Sequence, residues 1–142
     1  MGYLGGMHFW WPKISGRMYP ETLAKVAALI LFIGFNLTFF PQFILGYLGM
    51  PRRYHAYPPE FQVLNVASTL GASILTVGYV IPLIYFAYSL VAGEKSVNDP
   101  WGARGLEWEI PSPPPTENFT VSPVVTEGTH QYVHPSQEVG LA

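Results

Sequence analysis

The sequence contains no cysteine, and only 11% of its 142 residues are charged, against about 25% in soluble domains. The absence of cysteine excludes disulfides, thiolate metal sites and cysteine nucleophiles. The net charge of −2 provides no basic surface for nucleic acid, so no nucleic-acid partner is expected. Hydrophobic residues make up 49% of the chain and are concentrated upstream of a polar last third. This profile is typical of a membrane protein.

Two long apolar runs without charge indicate membrane-spanning helices. They cover Val26–Gly49 and Phe61–Gly93, and each exceeds the ~20 apolar residues that a helix needs to cross a bilayer. The sequence therefore predicts an all-α membrane protein with two full transmembrane helices, over about residues 21–47 and 60–92.

The first twelve residues are apolar and aromatic, but as a helix they would reach only about 18 Å, too short to cross a bilayer. They end in Phe9-Trp10-Trp11-Pro12 before Lys13. Aromatic residues followed by a cation are typical of a membrane–water interface. We interpret residues 1–12 as the end of one transmembrane helix whose beginning is missing; a short interfacial helix is the alternative. Together with the two spans, this partial helix gives a predicted membrane part over residues 1–93.

Small and weakly polar residues form a stripe on each predicted span. The first stripe is Ile30, Gly34 and Thr38, and the second is Asn65, Ser68, Ala72 and Thr76. Such residues in a membrane helix usually face another helix rather than lipid. Two spans alone do not satisfy both faces, so we expect further helices to pack against them.

The sequence changes character after Gly93. Residues 94–142 are polar and Pro-rich, and the run Pro111–Pro115 favours extended polyproline II structure. We expect an extended tail on a larger surface, with disorder beyond about Glu127. Five basic residues flank the tail side of the spans and two lie in the intervening loop, so the positive-inside rule places the tail in the cytoplasm. The five are Lys13, Arg17, Lys25, Lys95 and Arg104.

The two basic residues of the loop, Arg52 and Arg53, are adjacent. Guanidinium groups bind carboxylates and phosphates bidentately, which makes the pair a candidate anion site. The alternative is a pair that binds lipid phosphates or stays solvated at a turn. No nucleophile–base pattern or metal-ligand motif is present, so we predict no catalytic and no metal-binding residue. The four histidines are scattered outside the interiors of the complete spans; they are His8, His55, His130 and His134.

Several long motifs, in one fixed order over about residues 1–120, closely resemble the C-terminal part of subunit I of the haem–copper cytochrome c oxidases. The motifs are Trp10–Met18, Phe35–Gln42, Gly49–Tyr54, Gly105–Trp108 and Pro113–Pro115. The chain departs from the family pattern at Phe43, because many relatives have histidine directly after the Pro-Gln pair. No role of that histidine therefore carries over.

The resemblance implies that the chain holds the end of the tenth of twelve spans, the complete eleventh and twelfth spans, and the cytoplasmic tail. It implies that Arg52 and Arg53 bind the propionates of two haems. The family's haem-iron and copper ligands are histidines on spans that this chain lacks, so copper belongs to the complete subunit and the chain alone is expected to be inactive. The glutamate and lysine of the family's proton paths are also absent.

The function that the resemblance implies is a share in a proton-pumping terminal oxidase, which oxidises cytochrome c and reduces oxygen to water. The expected partners are the remainder of subunit I, other oxidase subunits, cytochrome c and membrane lipids. We expect an integral protein, with the bacterial inner (plasma) membrane favoured and the C-terminus in the cytoplasm. The alternative is a truncated, non-enzymatic membrane hairpin that only packs against other membrane subunits.

Overall fold

The computed structural model describes residues 1–124, in which the regular elements are helices and no β-strand occurs. The elements are α1 (Gly2–Ser15), α2 (Glu21–Tyr47), a single 3-10 turn (Pro59–Phe61) that leads into α3 (Gln62–Ala92), and the short α4 (Leu106–Glu109). The predicted all-α class is thus confirmed for the described residues. The predicted disorder beyond Glu127 falls outside them, as do His130 and His134.

The chain divides into two compact units. One consists of Tyr19–Ala92, and the other combines Met1–Met18 with the described part of the chain from Gly93 onward. The first unit holds two helices that are long and apolar enough to cross a membrane, over Glu21–Tyr47 and Pro59–Ala92. The predicted membrane part over residues 1–93 stays a prediction.

Helices α2 and α3 form a hairpin in which their backbones come very close. A Cβ atom added to Gly34 would lie 2.6 Å from the backbone nitrogen of Leu75, and one added to Gly71 would lie 2.5 Å from the carbonyl carbon of Leu37. Only glycine fits at such separations, and close backbone approach is the main source of packing energy between helices in lipid. The contact is therefore glycine against backbone on both helices.

One hydrogen bond ties the two helices together at the same level. The hydroxyl of Ser68 donates to the carbonyl oxygen of Thr38 across a distance of 2.8 Å. Pro41 lies inside α2 and has no N–H, so the carbonyl of Leu37 lacks its usual helical donor. The polar contact thus lies beside a weak point in the hydrogen-bond ladder of α2.

The predicted stripe on α3 only partly coincides with this contact. Asn65 and Ser68 are buried, but Ala72 and Thr76 are exposed, and the Thr76 hydroxyl donates to the Ala72 carbonyl of its own helix. The face towards α2 continues through Gly71 instead, so Ala72 and Thr76 lie beside this contact. That they pack against another helix stays a prediction.

The second unit contains α1 and the tail. Helix α1 runs through Pro12 and ends at Ser15, three residues beyond the predicted end, because the turn is closed by Gly16 in a left-handed conformation with φ 68°. The N–H of Gly16 donates to the Pro12 carbonyl, which caps the helix. That residues 1–12 are the end of a transmembrane helix stays a prediction.

The tail of this unit is held on α1 by a buried lysine. The Lys13 ammonium donates to the carbonyl oxygen of Ile110 at 2.7 Å and lies 5.3 Å from the centroid of the Trp108 ring. Burial lowers the pKa of Lys13, while the nearby carboxylates of Asp99 and Glu107 act in the opposite direction. The tail is otherwise irregular, apart from the single turn of α4.

We predict that Gly71→Ala destabilises the hairpin by about 1–3 kcal/mol, because the new methyl group overlaps the α2 backbone. Gly46→Ala is the matched control, since a Cβ at this position of α2 meets nothing within 4 Å. The control should be neutral or stabilise the helix by up to about 1 kcal/mol. Thermal unfolding of the purified membrane protein in mild detergent measures both, and equal midpoints for the two variants would contradict the packing.

Candidate functional site

The loop between α2 and α3 begins with a well-formed helix end. The N–H of Gly49, at φ 87°, donates to the Gly46 carbonyl, and the N–H of Met50 donates to the Leu45 carbonyl at 3.0 Å. These two bonds form a Schellman motif, which satisfies carbonyls that the end of a helix leaves without donors. Met50 is 8% exposed and Leu45 1%. The chain therefore leaves α2 in one fixed direction, directly before the arginine pair.

Both predicted site residues lie together in this loop and are exposed to solvent. They border a shallow groove of about 270 Å³ that is lined by the end of α2 (Gln42, Leu45 and Gly46) and by Met50–Tyr54. Within residues 1–124, neither Arg52 nor Arg53 has an ion-pair partner. The groove thus presents two adjacent guanidinium groups whose donors are available to an anion.

Arg53 adopts a left-handed backbone conformation with φ 58°. This region is uncommon for residues other than glycine and costs an L-amino acid about 1–2 kcal/mol. Conformations of this kind persist where the surroundings fix them, and they concentrate at functional sites. The arginine pair is therefore held in a specific backbone geometry.

A buried amide lies beneath the loop. The Asn65 side chain, only 8% exposed at the start of α3, accepts a hydrogen bond from the Tyr54 hydroxyl at 3.0 Å. Its amide nitrogen donates to the Phe61 carbonyl at 2.9 Å and lies 3.8 Å from the sulfur of Met50. Sequence reasoning assigned Asn65 only to a packing stripe, because nothing in the spacing of Asn65 and Tyr54 indicates that they meet.

No metal centre emerges from the described part of the chain. Among residues 1–124, no group of three or more His, Cys, Asp or Glu side chains is placed to hold a metal ion. His55 is exposed in the arginine loop, and the ring of His8 bonds to the Leu4 carbonyl of its own helix at 2.7 Å.

The two apolar helices and the cationic loop between them define a class, that of a helical integral membrane protein. The profile of the family described as Cytochrome C and Quinol oxidase polypeptide I matches residues 1–74. The chain belongs to this family, the subunit I family of the cytochrome c and quinol oxidases.

Individual relatives match more of the chain than the family profile does. Cytochrome c oxidase subunit 1 of Bacillus sp. (strain PS3) is 48% identical over 125 residues, which is 86% of this chain and 20% of the relative. The heme-copper oxidase subunit I+III of Aeropyrum pernix is 47% identical, covering 88% of this chain and 15% of the relative. Cytochrome c oxidase subunit 1 of Synechocystis sp. is 44% identical, covering 89% of this chain and 23% of the relative. The chain thus spans about a fifth of the length of these relatives.

We predict that two substitutions of Arg53 with the same loss of charge differ in their effect on the loop. Asparagine tolerates the left-handed region, whereas a β-branched valine does not. Arg53→Asn should therefore be more stable than Arg53→Val by about 1–2 kcal/mol. Hydrogen exchange of the loop amides, followed by mass spectrometry, measures the difference; equal protection in the two variants would mean that φ at this position is not restrained.

Proposed function

We propose that this chain is the C-terminal segment of the catalytic subunit of a proton-pumping terminal oxidase, which oxidises cytochrome c and reduces oxygen to water. Its share is to close the helix bundle and to bind haem propionates through Arg52 and Arg53. The observation that carries this proposal is the exposed arginine pair on a fixed loop, without a carboxylate partner among residues 1–124. Membership of the subunit I family supplies the context.

The donor set of the loop fits propionates. Each guanidinium carries five N–H donors in a planar fork that matches a carboxylate, so two adjacent arginines can bind several carboxylate groups at once. When bound, haem and copper supply the electron transfer and the reduction of oxygen. Arg52 and Arg53 contribute fixed positive charge, which favours the reduced form of a nearby haem and raises its midpoint potential.

The remainder of the enzyme must come from other chain segments. Residues 1–124 contain no group of three or more His, Cys, Asp or Glu side chains placed to hold a metal ion, and in our proposal the remainder of subunit I holds the iron and copper. Large apolar side chains remain exposed on both helices, among them Phe32, Phe40, Leu70 and Leu83. In the assembled oxidase these surfaces face other spans, other subunits or lipid.

The charge distribution supports an orientation within the membrane. Basic residues are more numerous on the side of the tail than in the loop, which favours a cytoplasmic C-terminus and an arginine pair on the outer side. The bacterial inner membrane is the location that we propose. An anionic partner explains why two arginines lie on the side that the positive-inside rule disfavours.

Replacing either arginine should lower a haem midpoint potential in the assembled oxidase. Arg52→Gln and Arg53→Gln each remove one positive charge, and a tenfold change in the ratio of reduced to oxidised haem corresponds to about 59 mV for one electron. We expect downward shifts of tens of millivolts, measured by spectroelectrochemical titration of the haem bands.

The control for this experiment is Lys25→Gln, which removes a charge of the same sign from the other end of α2. Lys25 is exposed and pairs with Glu21 at 2.9 Å, about 33 Å along the helix axis from Tyr47. The Lys25→Gln variant should leave the haem midpoint potential unchanged. If both arginine variants titrate as the wild type does, the propionate assignment is wrong.

A further inference from the structure

The arginine pair is flanked on both sides by residues that meet the same buried side chain. Asn65 contacts Met50, which precedes Arg52 in the loop, and binds Tyr54, which directly follows Arg53. Asn65 and Met50 are each 8% exposed, so the contact lies beneath the loop surface. One amide on α3 therefore fixes both ends of the segment that carries the two guanidinium groups.

The orientation of this amide is determined by its partners. The nitrogen faces the Phe61 carbonyl, which can only accept, so the amide oxygen must face the Tyr54 hydroxyl, which donates to it. A reversed amide would place two acceptors against each other at 2.9 Å. The Tyr54 hydroxyl thus has a partner of fixed position, held by the backbone at the start of α3.

The left-handed conformation of Arg53 requires such a restraint. Its backbone lies in an unfavourable region at φ 58°, and an unrestrained loop would relax out of it. The Schellman motif fixes the chain before the pair, and the bond between Tyr54 and Asn65 fixes it afterwards. Removal of the second anchor frees the backbone on one side of Arg53.

We propose that Asn65 is a positioning residue for the arginine pair, acting through Met50 and the Tyr54 hydroxyl. It sets the loop geometry before an anion binds, so that the guanidinium groups are preorganised for carboxylates. This inference rests on the proposed function for its effect on haem, but its effect on the loop is independent of haem. A role limited to the first turn of α3, through the Phe61 carbonyl alone, is the competing account.

The test uses the assembled oxidase with Tyr54→Phe, Asn65→Leu and the double variant. Tyr54→Phe removes only the hydroxyl and leaves the first turn of α3 intact, so it remains informative if Asn65→Leu does not assemble. The matched control is Tyr57→Phe, because the Tyr57 hydroxyl binds the exposed Gln62 side chain instead, at 2.7 Å. The two readouts are hydrogen exchange of the amides from Met50 to Tyr54, except that of proline, and redox titration of the haems.

We expect Tyr54→Phe to reduce protection of the loop amides about fivefold, the factor that corresponds to one net hydrogen bond of about 1 kcal/mol. Asn65→Leu should reduce it at least as much, because it also removes the contact with Met50. Both should move a haem midpoint potential in the direction expected for Arg53→Gln. The double variant should match Asn65→Leu alone, because Asn65→Leu already removes the bond that Tyr54→Phe removes. Tyr57→Phe should match the wild type in both readouts.

The outcomes separate this inference from the proposed function. Wild-type protection in Tyr54→Phe overturns the positioning role. A loosened loop without a potential shift also overturns it, provided that Arg53→Gln does shift the potential. If the arginine variants leave the potential unchanged while Tyr54→Phe loosens the loop, the propionate assignment fails and the inferred restraint of the loop is supported.

Discussion

The close approach of α2 and α3 is the constraint on which the rest of the hairpin depends. Lipid gives two apolar helices no hydrophobic reason to associate, so packing at short range and hydrogen bonds must hold them together. Gly34 and Gly71 make this approach sterically feasible, and the bond from Ser68 to the Thr38 carbonyl fixes the register. Because the register is fixed, the start of α3 comes to lie beneath the loop that leaves α2.

The arginine loop combines a rigid backbone with exposed charge. Its polar anchors are Asn65 and the end of α2, which form hydrogen bonds within the hairpin, while Arg52 and Arg53 border the groove with exposed side chains. This arrangement is favourable because burial of a hydrogen-bonded amide costs little free energy, whereas burial of an unpaired cation costs several kcal/mol. The loop thus presents two cations without burying either.

The helices and the arginine pair could be predicted from sequence, whereas their surroundings could not. Long charge-free runs predict α2 and α3 and their approximate lengths. The adjacent arginines between them can be read directly from the sequence. The face of α3 that meets α2 was not predicted, because Gly71 and Ala72 are both small and the sequence alone does not show which of them contacts α2. The bond between Tyr54 and Asn65 depends on the path of the loop, which no local pattern encodes.

Charge alone does not decide which anion the arginine pair binds. Two arginines in a short loop are as compatible with lipid phosphates as with carboxylates, and family resemblance was needed to favour one partner. The structure adds an argument of a different kind, because a loop that only meets mobile lipid headgroups has no need of a left-handed Arg53 or of a buried amide that contacts the chain on both sides of the pair. A preorganised pair of guanidinium groups suits an anion of fixed position, as the haem propionates of our proposal would be.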